Sequence, residues 1–257
     1  MSTALTITLL GTGSPLPDAD RAGPATLLQG GGQNFLVDAG RGVLMRLTAV
    51  GVQASNLTAV LITHLHSDHI TDLGDLITAV WIGTFQPTPL RVIGPAGTAG
   101  VVDHILASLE PDIGYRMAHH DDLAERPRVL VTEVGDGPIP LPGPVRVGCA
   151  PTDHRPVEPS IGFRFDHDGA AVVVAGDTVP CGGLDRLFRR AGARPHGDPQ
   201  GCDRADPHPA ADRHARLSLL PRGGGSDRPT GGSEHAGDDP LRACVSLRRR
   251  GRLACAG

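Results

Sequence analysis

Short apolar stretches alternate with polar breaks along most of this chain. Leu5, Ile7 and Leu9 are interleaved with threonines, a period of two that predicts a half-buried strand, and Gly11 to Pro15 breaks it as a loop. Asn34 to Val37 predicts a second strand closing on Asp38-Ala39-Gly40. Val43, Leu44, Leu47 and Val50 then predict a helix that Gly51 stops. Thr58 to Ile62 is a short apolar run rich in β-branched residues, as in a strand buried on both faces. A helix is expected from about Ile70 to Val80, a strand over Leu90 to Ile93 ending in Gly94 to Gly97, and a helix over Val101 to Leu109. Residues 110 to 143 are more polar and harder to read, although strands are expected again over Val129 to Val134, Val145 to Cys149, Ile161 to Phe165 and Ala171 to Ala175. A helix around Leu184 to Arg190 ends the patterned part. Alternating strands and helices followed by a strand-rich stretch predict an α/β arrangement, with sheets packed face to face and helices outside.

Near residue 194 the pattern stops. Arg194 to Gly257 hold one Val, Val245, and no Ile, Phe, Tyr, Trp or Met, but 11 Arg, 10 Gly and 7 Pro in 64 residues. Neither a helical nor a strand period survives there. The chain therefore divides into a folded unit, residues 1 to 193, and an atypical tail, residues 194 to 257. The tail fits a natural disordered segment, or out-of-frame translation of GC-rich DNA, whose codons yield Arg, Gly, Ala and Pro. The second is favoured because the fold stops half-finished at that point. The use of Arg for all 24 basic residues agrees with GC-rich coding.

Composition narrows the class. A chain of 257 residues that is 39% apolar can bury one sizeable core. A net charge of -4 argues against a generally basic nucleic-acid binder. No run of 18 or more apolar residues occurs, so no membrane span is expected. Met1 to Leu10 lacks a positive start and a long apolar centre, and so predicts a first strand and not a signal peptide. Five cysteines without a CxxC pair suit free thiols in a reducing, cytoplasmic setting.

The chemistry concentrates in His64-Leu65-His66-Ser67-Asp68-His69. At the end of a strand, His64 and His66 share a face because side chains alternate, so they can grip one cation together. Asp68 and His69 follow as the chain turns into a helix and can reach a second. Imidazole and carboxylate are ligand types that zinc accepts. Asp153-His154 and Asp177 also lie past the C-terminal ends of predicted strands, on the same edge. Taken alone, each is as ordinary as a surface His or a turn Asp.

Together with Gly11-Thr-Gly-Ser14 and Leu36-Val-Asp38-Ala-Gly40, the HLHSDH motif resembles the metallo-β-lactamase superfamily. The LLGTGSP opening, the THLHSDH spacing, the IGP-G element at Ile93 to Gly97 and the AGDT at 175–178 are most similar to the ribonuclease Z family and its phosphodiesterase relatives. The resemblance covers about residues 5 to 190 and implies a four-layer αββα sandwich. It implies two zinc ions, one held by His64, His66 and His154, the other by Asp68 and His69, with Asp177 bridging. It also implies Asp68 as proton acceptor for the attacking water. Asp38 would organise the loop beneath the metals or serve as a turn residue, and Asp153 would hold a His ligand in place.

Two departures from the family matter. Its C-terminal third supplies a further His to the second metal and a His-bearing segment thought to protonate the leaving group. His196, His208, His214 and His235 follow no apolar strand, which implies a weakened second zinc site and an incomplete C-terminal side. In addition, only 22 residues separate His154 from Asp177, room for a strand pair and not for the long tRNA-gripping arm of many relatives. The leading expectation is a metal-dependent phosphodiesterase that cleaves the 3′ trailer from precursor tRNA, with a homodimer implied by the resemblance. The alternatives are an arylsulfatase-like or lactonase-like hydrolase of small esters, and an inactive metal-binding remnant.

Overall fold

The computed structural model describes residues 5–84, 88–123 and 125–189, and the backbone of residues 245–248. Two sheets form its centre. The first has six strands in sequential order, β1 (Thr6–Gly11), β2 (Ala25–Gly30), β3 (Gln33–Val37), β4 (Ala59–Leu61), β5 (Leu90–Gly94) and β6 (Val129–Glu133). The pairs β1–β2 and β2–β3 are antiparallel, and β3 to β6 run parallel. The second sheet carries β7 (Gly137–Ile139), β8 (Arg146–Pro151), β9 (Ile161–His167), β10 (Ala170–Val174) and β11 (Val245–Arg248), antiparallel throughout.

The period of two sorts the core into layers. Leu28, Phe35, Val37, Ala59, Leu61 and Ile93 of the first sheet meet Val147, Cys149, Phe163, Phe165, Val172 and Val174 of the second. On the opposite face of the first sheet, Leu27, Leu36, Val60 and Val92 pack under helices α1 (Val43–Ala49) and α3 (Leu73–Thr84) and against Val102 of α4 (Thr98–Ser108). Leu73, Leu76, Ile77, Val80 and Trp81 supply the buried stripe of α3, the i, i+3, i+4, i+7, i+8 pattern of a helix lying on a core. On the outer face of the second sheet lies α6 (Gly182–Phe188), whose Leu187 packs on Ala150 and Val173. The expected αββα sandwich is thereby formed.

Several expectations need correction. The strand β2 and the helix α5 (Glu110–His119) occupy segments that the pattern left unassigned. The helix expected from Ile70 is two elements, a single turn α2 (Ser67–Ile70) and then α3. At the break the Asp72 N–H leaves the helical ladder and donates to the Ala39 carbonyl at 2.9 Å, while the Asp72 carboxylate accepts from the backbone N–H groups of Gly42 and Val43 at 2.7 and 3.0 Å at the start of α1. In the tail, where no strand was expected, Val245–Arg248 pairs antiparallel with β10. The remaining tail expectations lie outside the described residues. The segment between His154 and Asp177 is a strand pair as anticipated, with β9 and β10 joined through Asp168 (φ 46°) and Gly169 (φ 76°), the left-handed pair of a two-residue hairpin turn.

Candidate metal centre

Every strand that leads into the site ends at the same edge of the sandwich. Asp38 follows β3, His64 and His66 follow β4, His154 follows β8, and Asp177 follows β10. Two parallel strands place Asp38 beside the histidine motif, because Val37 pairs with Leu61 and the Asp38 N–H donates to the Leu61 carbonyl at 2.8 Å. The motif's far side is tied down as well: the Ala39 N–H donates to the His69 carbonyl at 2.7 Å, and the Asp72 N–H to the Ala39 carbonyl at 2.9 Å.

The structure brings His64, His66, His154 and Asp177 into one group, each offering a ligand atom within 4.8 Å of all the others. His64 Nε2 lies 3.0 Å from His66 Nδ1, His154 Nε2 lies 3.3 Å from His66 Nδ1, and Asp177 Oδ2 lies 3.8 Å from His154 Nε2. Donors bonded tetrahedrally to zinc at ~2.0–2.1 Å sit about 3.4 Å apart, so these spacings fit a single ion.

Asp68 and His69 lie beside this group, on α2. His69 Nε2 is 3.6 Å from Asp177 Oδ2 and 3.8 Å from Asp68 Oδ2. Both distances are too long for hydrogen bonds, and this buried nitrogen has no hydrogen-bond partner. A buried polar atom without a partner needs a reason. One imidazole nitrogen aimed between two carboxylates is a donor set suited to a second cation, with Asp177 reaching toward both groups.

Electrostatics separates the histidines. Burial, then the neighbouring His69, pushes His64 down to about 3. Burial also lowers His154, against the pull of Asp177. Burial works against a proton on His69 too, but Asp38 and Asp177 outweigh it and raise His69 to about 10. For Asp177, burial favours the neutral carboxyl, yet His69, His64 and His154 hold it below the usual carboxylate range.

Asp38 sits in a turn and is hydrogen-bonded to the histidine motif. Its φ of 62° places it in the left-handed region of a tight turn, and its buried carboxylate anchors the motif. Oδ2 accepts from His69 Nδ1 at 2.8 Å, and Oδ1 accepts from the Thr63 N–H at 2.8 Å. The expectation for Asp153 is corrected. Its carboxylate binds the Arg155 guanidinium at 3.0 and 2.6 Å rather than a histidine, an ion pair with a charged partner only two residues away. Asp153 still steadies His154 through its backbone, which pairs with Val179 just past Asp177. Thr63, fully buried between Asp38 and His64, was not singled out by the sequence. His196, His208, His214 and His235 lie outside the described residues.

Residues 33–194 match the family model described as "Beta-lactamase superfamily domain". The chain is 59% identical over 192 residues to a ribonuclease Z of Mycolicibacterium gilvum (strain PYR-GCK), covering 74% of this chain and 67% of that one. It is equally identical to a ribonuclease Z of Mycobacterium avium (strain 104), of which it covers 69%. Among solved structures it is similar to the short form of human tRNase Z, at 25% identity and a TM-score of 0.55, covering 70% of this chain and 73% of the human one.

Proposed function

The chain belongs to the β-lactamase superfamily and, within it, to the ribonuclease Z family, and on that premise we propose that it is a zinc-dependent endoribonuclease that removes the 3′ trailer of precursor tRNA. One observation carries the reading: three imidazoles and Asp177 converge within 4.8 Å beside a buried, unpartnered His69 nitrogen, in a chain 59% identical to ribonucleases Z. In this reading His64, His66 and His154 hold one zinc ion, Asp68 and His69 a second, and Asp177 lies between them. The ions, when bound, supply Lewis-acid activation of water and charge stabilisation at a phosphodiester.

The remaining chemistry falls to the chain's own residues. Asp68, 5% exposed in the first turn of α2, would orient the attacking water and accept its proton in this reading. Asp38 fixes the His69 ring through Nδ1, so that Nε2 faces the centre. The two sites are unequal among the described residues. The first has four donors, whereas the second has Asp68, His69 and a share of Asp177, so it binds more weakly and fills last. We further propose a cytoplasmic homodimer. The free thiols Cys149 and Cys181 agree with a reducing compartment, and no helix among the described residues is long and apolar enough to cross a membrane.

The test is cleavage of a precursor tRNA carrying a labelled 3′ trailer by full-length, zinc-loaded protein. A single cut that releases the trailer is expected, and Asp68→Asn should lower its rate by about 10²–10⁴-fold. No trailer release from protein carrying two zinc ions per chain would overturn the assignment. Turnover of bis(p-nitrophenyl) phosphate in that case would identify a small-ester hydrolase. About one zinc or none, with neither activity, would identify an inactive remnant.

A further inference from the structure

Thr63 precedes the first histidine of the motif, is fully buried, and touches three of the loops that build the centre. Its Oγ1 lies 3.0 and 2.9 Å from the two carboxylate oxygens of Asp38 and 3.1 Å from His64 Nδ1. A Cβ added at Gly176, the residue before Asp177, would meet the same Oγ1 at 2.5 Å, so the Asp177 loop rests directly on this hydroxyl.

A hydroxyl has one proton to give, whereas a carboxylate only accepts. The Thr63 O–H therefore donates to Asp38, which leaves Oγ1 as an acceptor toward His64. The ring can satisfy it only with a proton on Nδ1. That leaves the lone pair on Nε2, the atom that faces His66 Nδ1 in the ligand group. The opposite arrangement, with Thr63 donating to Nδ1, puts the ring proton on Nε2, where a cation has to bind, and leaves Asp38 one donor short.

We propose that Thr63 is a positioning residue that sets the tautomer of His64, so that Asp38 orients one ligand of each metal site, His69 directly and His64 through the Thr63 hydroxyl. The proposal rests on reading the histidine cluster as a metal site. It adds that the two sites share a single carboxylate and do not assemble independently. Loss of the hydroxyl then loosens the first site, whose ligands never touch Asp38.

The experiment uses the full chain with ¹⁵N-labelled histidine, together with Thr63→Val, which keeps the shape and removes the hydroxyl, and Thr63→Ser, which keeps the hydroxyl. Two-bond ¹H–¹⁵N spectra of zinc-loaded wild type are expected to show His64 protonated at Nδ1, with slow exchange of that proton. Competition with a zinc chelator is expected to show a 10–100-fold weaker first site in Thr63→Val, the usual loss when a ligand's hydrogen-bond partner is removed, and restoration to within about threefold in Thr63→Ser. His64 protonated at Nε2 in the wild type overturns the proposal, and so do equal zinc affinities in Thr63→Val and wild type, or equal losses in both variants. If Thr63→Val fails to fold, the wild-type spectrum and the Thr63→Ser affinity decide. If the wild type binds no zinc, the metal reading fails, while the His64 tautomer in the metal-free protein still decides the role of Thr63.

Discussion

Zinc affinity at the second site should climb with pH, and His69 sets the slope. Its Nε2 has to be free of a proton to bind a cation, yet Asp38 at 2.8 Å and Asp177 at 3.6 Å raise His69 to about 10 in the metal-free protein, against the opposing effect of burial. At pH 7.5 stripping that proton costs about 3 kcal/mol, taking ~1.36 kcal/mol per pH unit, so the second ion binds about 300-fold more weakly than it would to a neutral ring. His64, pushed down to about 3, and His154, also lowered, impose little such penalty on the first ion. Zinc competition at pH 6.5, 7.5 and 8.5, corrected for chelator protonation, should give one weak site whose affinity rises close to tenfold per pH unit and one tight site that rises much less. In Asp38→Asn the slope of the weak site should flatten, because the charge that holds the proton is gone. Equal slopes at the two sites, or a flat second site in the wild type, would refute the reasoning.

Three further outcomes follow from the same geometry. The thermal midpoint of metal-free protein should fall on both sides of about pH 6.5: His69, whose folded value is raised, contributes stability that is lost as pH rises toward 10, and His64, whose folded value is lowered, contributes stability that is lost as pH falls toward 3. Differential scanning fluorimetry across pH checks this, and His69→Asn should remove the alkaline limb. Gly176→Ala should destabilise the fold by roughly 1–3 kcal/mol and deplete zinc, measured by urea unfolding and elemental analysis, because Gly176 sits at φ 63° with Thr63 Oγ1 where a Cβ would go. Phe163→Ala, at a ring fully buried between the sheets, should cost about 3–5 kcal/mol in a urea titration and leave the metal ligands in place.

The sequence pattern revealed elements wherever burial was one-sided or long enough to show a period. The stripe of α3 is of that kind, whereas the Leu5–Ile7–Leu9 alternation of β1 fails at its end, where a register shift between Leu9 and Gly11 accompanies an exposed Leu9 and a buried Leu10. The strand β2 was hidden because it is buried on both faces: Leu27 packs under the helices and its neighbour Leu28 between the sheets, so no alternation survives, and Pro24 and the Gly30-Gly31-Gly32 run around it imitate a loop. In α5, Pro111 and Gly114 obscured a helix in which Ile113 alone is buried, although a proline in the first turn is compatible with a helix start. Short β7 is punctuated by Gly137 and Pro138 and reads locally as a turn.

The site divides along the same line. Candidate ligands spaced two apart past one strand end, His64 and His66, are visible as a motif, since the chain itself brings them together. His154 and Asp177 became candidates only by resemblance, because sheet topology and not spacing carries them to the same edge. Thr63 was invisible, since a threonine before a histidine has no signature of its own. Its role follows once β3 and β4 are known to run parallel with Val37 opposite Leu61, which sets the residue after one strand against the residues after the other. Asp38, at the first exit, then meets the N–H and hydroxyl of Thr63 at the second. An acidic residue leaving one parallel strand, together with a hydroxyl residue just before a metal-binding histidine on the next, is thus a pairing that a sequence search can look for directly. The Thr63→Ser and Thr63→Val comparison decides whether it is chemistry or packing.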